Sequence, residues 1–351
     1  MPIPYRLNPM GKNEKKYFEL IVKPGILASA MTYGFTPYWN NGGYCSVDWG
    51  DGSREDAVTS GTVFKHTYAT KGTYAIKIEA DCYDFTFGIT NGAIVYNCSS
   101  NWECLGAITQ ASQTFRYCSN ALLDFSELPD TLVNGNSMFY DVPNAILPLT
   151  KLPDGLVTGR SMFTRCYKAT LPLTYLPESL TGDCYAMFYD CPLAELNFTK
   201  LPSGLKTCTY MFYNCSNAKL PLTSLPEGLT NGQSMFEGCT NAQLHLTSLP
   251  EGLTNGSSMF NGCTNAKITV TKLPDGITNG YRMFYNCPNV EINLDTLVAN
   301  APAEGWTKLT NITNMFYNCP KVTGSRSAFL AKCPPNPAGA SSAFILTNTT
   351  E

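Results

Sequence analysis

The sequence predicts a mainly β protein: a small N-terminal β-sandwich, then a parallel-β solenoid of about nine 24-residue turns. Three observations carry that expectation. The first is an echo built on Met-Phe with a Cys three residues after the Phe. Phe139, Phe163, Phe188, Phe212, Phe236, Phe260 and Phe284 follow one another at gaps of 24, 25, 24, 24, 24 and 24. Phe115 lies 24 residues before the first of them, and Phe316 lies 32 after the last. A fixed period in this range marks repeats that bury their apolar faces only against their neighbours. The second observation is a short period-two alternation of apolar residues in each repeat. The third is a run of short strand-like segments with turn signals before residue 90.

Residues 1–16 read as an extended arm, polar and broken by Pro2, Pro4 and Pro9. Residues 17–90 read as the sandwich, with strands at 17–23, 44–49, 62–68 and 73–80. Pro24-Gly25 and Gly50-Asp51-Gly52-Ser53 supply turns. Asp48 and Asp51 fit a tight turn whose carboxylates bind nearby backbone N–H groups better than they fit a calcium site. His66 is expected to cap the sandwich edge. Residues 91–114 are the expected junction, with Trp102 and Leu105-Gly106 covering the open end of the repeats.

Residues 115–320 carry the repeats, and the copy Ser234 to Gly256 divides into three parts. Ser234-Met235-Phe236-Glu237-Gly238-Cys239 suits one helical turn opened by a Ser cap. Ala242-Gln243-Leu244-His245-Leu246 suits a strand with one buried face. Leu249-Pro250-Glu251-Gly252-Leu253 is a turn, and Asn255-Gly256 closes the coil. Stacking puts like residues above like. The expected core ladder is Phe139, Phe163, Phe188, Phe212, Phe236, Phe260, Phe284 and Phe316 with Cys166, Cys191, Cys215, Cys239, Cys263, Cys287 and Cys319. Val142 replaces Cys once, so the position asks for apolar volume, and reduced thiols are expected. Cys45 with Cys82, and Cys184 with Cys208, are left open as pairs or thiols. The long gap before Phe316 holds an eight-residue insertion, read either as a binding loop or as a local elaboration packed on the rod. Residues 321–351 read as a C-terminal cap.

Composition excludes several function classes. The formal net charge is −3, charged residues make up 15%, and no basic stripe is present, so no nucleic-acid partner is expected. No apolar window is long enough for a membrane span, and the Met1-Pro2-Ile3-Pro4 start lacks an export signal. His66 and His245 are the only histidines, and no C-x-x-C pair occurs, so no metal is expected. No nucleophile elbow, phosphate loop or zincin motif occurs, so no catalytic residue, no cofactor and no enzyme activity are expected. Asp154, Glu178, Glu227, Glu251 and Asp275 recur as an exposed row in the Pro-x-Gly turns and form no acid/base pair.

The residues Val47-Asp48-Trp49-Gly50-Asp51-Gly52-Ser53 and His66-Thr67-Tyr68, followed by Gly72-Thr73-Tyr74, resemble the polycystic-kidney-disease (PKD) type of immunoglobulin-like domain. From Phe115 the order aromatic, Cys, Asn, then alternating apolar residues resembles the BspA-like leucine-rich repeat. Leu-Pro-x-Gly turns of unusual regularity, and Met where relatives often carry Ala, depart from that pattern. The resemblance implies a structural and recognition protein. The arm and the two-part layout favour a bacteriophage virion component, such as a head fibre, decoration or tail accessory. The alternative is a bacterial cell-surface adhesin. Expected partners are other virion proteins through the arm, a host surface protein or glycan, and a second copy of the chain. The expected binding residues are Trp306, Asn300, Tyr281 and Tyr285.

Overall fold

The computed structural model describes residues 17–23, 32–89, 94–98, 102–119, 121–123 and 125–351. The expected arm, the Pro24-Gly25 turn and parts of the expected junction (91–93 and 99–101) lie outside them. The protein is mainly β with two short helices among the described residues.

Eight strands build the N-terminal part: β1 (Phe18–Lys23), β2 (Thr32–Tyr38), β3 (Cys45–Asp48), β4 (Arg54–Ala57), β5 (Phe64–Thr67), β6 (Tyr74–Ala80), β7 (Asp84–Ile89) and β8 (Ile94–Cys98). They form two antiparallel sheets, ordered β4-β3-β6-β1-β8 and β5-β2-β7. Alternation decides which faces meet. Phe18, Leu20, Val22, Ile76 and Ile78 are buried from the first sheet, and Tyr33, Phe35, Phe64, Phe85 and Phe87 from the second. Phe35 stacks on Phe64 at 4.9 Å and Phe85 at 5.0 Å, and meets Trp49 at 5.9 Å. Asp48 Oδ1 accepts from the Gly50 N–H at 2.9 Å and Asp51 Oδ1 from the Ser53 N–H at 3.0 Å, so both carboxylates shape the turn. The His66 imidazole lies 2.7 Å from Asp51 Oδ2 and stacks on Trp49.

Beyond Phe115 each repeat lies on the next. Neighbouring Phe rings from Phe115 to Phe316 are 5.5–5.8 Å apart and within 12° of parallel. The ladder phenylalanines and cysteines are fully buried, as are the methionines and strand leucines beside them. Two rows of backbone hydrogen bonds join the repeats, and they run in opposite directions. Along the Phe side, N–H groups of one repeat donate to the following repeat, as from Gly232, Ser234 and Phe236 to the carbonyls of Asn255, Ser257 and Met259. Along the Thr and Leu side they donate to the preceding repeat, as from Thr254, Lys267 and Thr269 to Thr230, Leu244 and Leu246.

The local structure of the repeat differs from expectation in two ways. No Ser-capped helical turn forms. Ser137, Ser161, Ser234 and Ser258 have φ between 50° and 54°, whereas a helix cap needs extended backbone. Tight turns replace it: the Met235 N–H bonds the Gly232 carbonyl and the Cys239 N–H bonds the Phe236 carbonyl, both at 3.0 Å. The Ala-x-Leu-x-Leu stretch does alternate, with Ala242, Leu244 and Leu246 buried and Gln243 and His245 exposed. Yet among the described residues beyond Phe115, regular parallel pairing occurs only where β9 (Ile292–Asn293) meets β10 (Val322–Ser325) and β10 meets β11 (Asn348–Thr350). Pro148, Pro172 and Pro221 lack the N–H a ladder needs, and Leu147, Leu171 and Leu220 before them turn to φ of 47°, 40° and 41°. Single parallel bridges at the Asn position hold register instead, as at Asn231, Asn255 and Asn279. There the Asn255 side chain accepts from the Ser257 N–H at 3.1 Å. A Cβ on Gly256 would lie 2.7 Å from Met283 Cε, so the Asn-Gly glycine makes room for the next methionine.

Both ends of the stack are covered. At the start, β7 of the N-terminal part bonds the first repeat: the Phe87 N–H donates to the Thr114 carbonyl at 2.8 Å, and Asp84 bridges Gln110 in parallel. Phe87 continues the ring series at 6.2 Å from Phe115. Trp102, in a 3-10 turn (Trp102–Leu105), packs on Phe18 and Phe125, both at 5.0 Å. At the far end the Phe316 N–H donates to the Ala343 carbonyl, and Phe344 stacks on Phe316 at 5.7 Å. The insertion forms helix α1 (Leu294–Ala299), capped by Asn293 and anchored by buried Leu294 and Leu297. Helix α2 (Arg326–Ala331) packs beside it. The insertion is therefore an elaboration packed on the stack, and the spacing of Phe284 and Phe316, 5.7 Å, is unchanged by it.

Candidate ligand-binding groove

The left-handed residues that deny the repeat a helix also shape one face. Positive φ recurs two before and two after each ladder Phe, as at Tyr210 and Asn214 around Phe212. At and beside these turns the chain places four side-chain columns outside the ladder: Phe−3, Phe−2, Phe+1 and Phe+2. Together they line a groove of about 760 Å³ running from Tyr140 to Arg282.

One wall is aromatic. Tyr189 and Tyr213, both at Phe+1, lie ring on ring at 4.6 Å and 5°. Tyr210 meets them edge-on at 6.0 and 5.8 Å, and Tyr185 meets Tyr210 at 5.7 Å. Burial raises the phenol pKa of Tyr189 and of Tyr213, with neighbouring phenols and carboxylates adding to it, so both keep their protons. Arg160 sits over Tyr185 at 4.4 Å and pairs with Asp183 at 2.6 Å, bracing the wall from outside. The opposite wall is Tyr281 with Arg282, whose guanidinium lies 5.1 Å from the ring centres of both Tyr281 and Tyr285. The two repeats between carry small or polar residues, Gln233, Ser234, Glu237, Ser257 and Ser258, which form the floor. Gln233 Nε2 donates to the Tyr210 hydroxyl at 3.1 Å, and Glu237 Oε1 accepts from Asn261 at 2.8 Å.

The expected binding residues separate. Tyr281 lines the groove, and Tyr285 holds the Arg282 that does. Trp306 is corrected to a core residue: it is 0% exposed and packs on Phe329 at 5.2 Å, because α1 folds the insertion down onto the stack. Asn300 is exposed but ends α1 and donates to the Thr271 carbonyl at 3.0 Å, outside the groove. The wall residues Tyr185, Tyr189, Tyr210 and Tyr213 were missed. Reading the repeat column by column would have found Tyr189 and Tyr213 in the register of Tyr285.

The thiols hold a second surprise. Cys166, Cys191, Cys215, Cys239, Cys263, Cys287 and Cys319 each donate to the carbonyl of the ladder Phe one repeat back, at 2.8–3.1 Å. The thiol therefore donates a hydrogen bond as well as filling volume, although Val142 shows that volume alone suffices once. All seven are free thiols, as are Cys45, Cys82, Cys184 and Cys208. Burial pushes Cys191, Cys239 and Cys319 up to about 12. Among the described residues no cluster of His, Cys, Asp and Glu could hold a metal ion, and no helix is long and apolar enough to cross a membrane.

The sequence model of the BspA type leucine rich repeat region matches this chain in six copies, over residues 106–219, 159–291 and 224–333. No curated protein and no solved structure matches it.

Proposed function

Because the chain belongs to the BspA type leucine-rich repeat family, we propose that it works by display and recognition and not by turnover. The observation that carries this reading is the groove, an outward-facing aromatic and polar surface built across several repeats and separate from the core ladder. In this reading the repeats are a solenoid of about nine turns in residues 115–320. A PKD-type immunoglobulin-like sandwich in residues 17–90 closes its N-terminal end, and residues 321–351 close the other. The solenoid reading draws support from the parallel rings and the one-way hydrogen-bond rows. The immunoglobulin-like reading draws support from the two facing antiparallel sheets and the Trp49-Gly50-Asp51-Gly52 turn.

The placement we propose is a bacteriophage virion surface, with residues 1–16 as the attachment segment to other virion proteins. A bacterial cell-surface adhesin is the second placement, favoured by the repeat family itself. Deleting residues 1–16 is expected to release the protein from its particle while leaving its melting temperature nearly unchanged. Immunogold labelling of purified particles and of intact cells separates the placements. Label on cells with none on particles selects the adhesin, and label on neither rejects surface display.

A further inference from the structure

We propose that the groove binds an uncharged oligosaccharide chain lying along the stack, an inference that rests on the recognition reading above. The lining chemistry chooses the ligand class. The charges balance, with Arg165 and Arg282 against Asp190 and Glu237, so a polyanion gains no net attraction. The only aliphatic side chain in the lining is Ala186, so a peptide finds no pocket for an apolar anchor. What the groove offers is aromatic surface at its two ends and, between them, hydroxyl and amide groups that both donate and accept and a carboxylate that accepts. A sugar ring matches this, with C–H faces for the tyrosines and a rim of hydroxyls for the floor.

The wall is also held in place before any ligand arrives. Four rings brace one another through the Tyr189–Tyr213 stack and the edge contacts of Tyr210, so little side-chain freedom remains to be lost on binding. The floor is low because Ser234 and Ser258 occupy the Phe−2 position that Tyr210 fills one and two repeats earlier. Ser258 has φ 52° and Tyr210 φ 57°, so the same backbone accepts a tyrosine. Ser258→Tyr is therefore the plug for the groove, and its melting temperature reports whether the fold accepts the ring.

Saturation-transfer NMR and calorimetry on the full chain, with cellohexaose, maltohexaose and chitohexaose as neutral probes and a heparin hexasaccharide as the anionic one, test the proposal. At least one neutral probe is expected to bind, with affinity at least tenfold weaker in Ser258→Tyr and in Tyr213→Ala, and with Ser258→Tyr melting as the parent does. If Ser258→Tyr does not melt as the parent, Tyr213→Ala alone decides. Binding of heparin alone, binding of no probe, or equal neutral-sugar binding by a folded Ser258→Tyr overturns it. Binding of the fluorescently labelled chain to intact bacterial cells tests the parent reading separately. Cell binding abolished by Ser258→Tyr without any sugar binding removes the glycan and leaves recognition standing. Absence of cell binding together with absence of sugar binding removes both.

Discussion

The side chain of Cys239 sits in the core with its thiol proton on the carbonyl of Phe212 at 2.9 Å. That carbonyl also accepts from the Cys215 N–H, so losing the thiol leaves it partnered. Cys239→Val, which copies Val142, is expected to cost about 1 kcal/mol or less in urea unfolding. Phe236→Ala, which removes a ring stacked at 5.6 and 5.8 Å on its neighbours, is expected to cost about 3–5 kcal/mol. A smaller loss for the Phe variant than for the Cys variant would falsify the ladder as the main source of core stability. The same thiols set a pH limit. Their folded pKa is raised from 9.0 to about 12 at Cys191, Cys239 and Cys319, chiefly by burial. The unfolded chain therefore ionises first. Their contribution is whole below about pH 9 and is lost as pH rises towards 12, at about 1.4 kcal/mol per pH unit for each thiol. Melting temperature is expected to be flat from pH 7 to 8.5 and to fall steeply above 9.5. Thiolate absorbance at 240 nm should then rise together with unfolding, and a rise in the folded state at pH 9 argues against buried thiols.

At the scale of the element, the N-terminal sheets act as the stack's first rung. Phe87 is 1% exposed, packs on Phe35 at 6.1 Å and continues to Phe115. Phe87→Ala is expected to lower stability by about 3–5 kcal/mol and to raise hydrogen exchange at Phe115 and Met138, one repeat away. Exchange that changes only within β2 and β7 would show that the two parts are energetically separate. The ladder was legible in the sequence because every core position is stated many times over, so errors at one copy, such as Val142, are outvoted. The strands were half legible. β1, β3, β5 and β6 alternate or sit beside turn signals, whereas β2 (Thr-Tyr-Gly-Phe-Thr-Pro-Tyr) carries Gly and Pro, and β4 (Arg-Glu-Asp-Ala) is a charged edge with no apolar period. The helix expected at Ser-Met-Phe failed because a left-handed φ at Ser is invisible to a capping rule. The groove was the least legible, since it is made of what the repeats do not share: tyrosine in some copies, serine in others. Trp306 was misplaced for a related reason, as its burial depends on how a single insertion folds back.

Across the whole molecule, one continuous set of buried residues runs from Phe18 to Phe344. Unfolding is expected to be a single transition. Fluorescence of a Trp306→Phe variant, which keeps Trp39, Trp49 and Trp102, and far-UV circular dichroism should give one midpoint; two midpoints several degrees apart would mean that the N-terminal sheets melt alone. The opposed hydrogen-bond rows carry a different consequence. An α-helix aligns its peptide dipoles and accumulates charge at its ends. Here the Phe-side N–H groups point towards the C-terminal end and the Thr-side ones towards the N-terminal end, so the axial dipoles of the two rows oppose one another within each repeat. The end charge that builds up along a helix is offset here, repeat by repeat. The number of repeats is then free to drift by duplication or loss of 24-residue units. The distance between the two ends of such a protein can be changed in steps of one repeat without rebuilding either end.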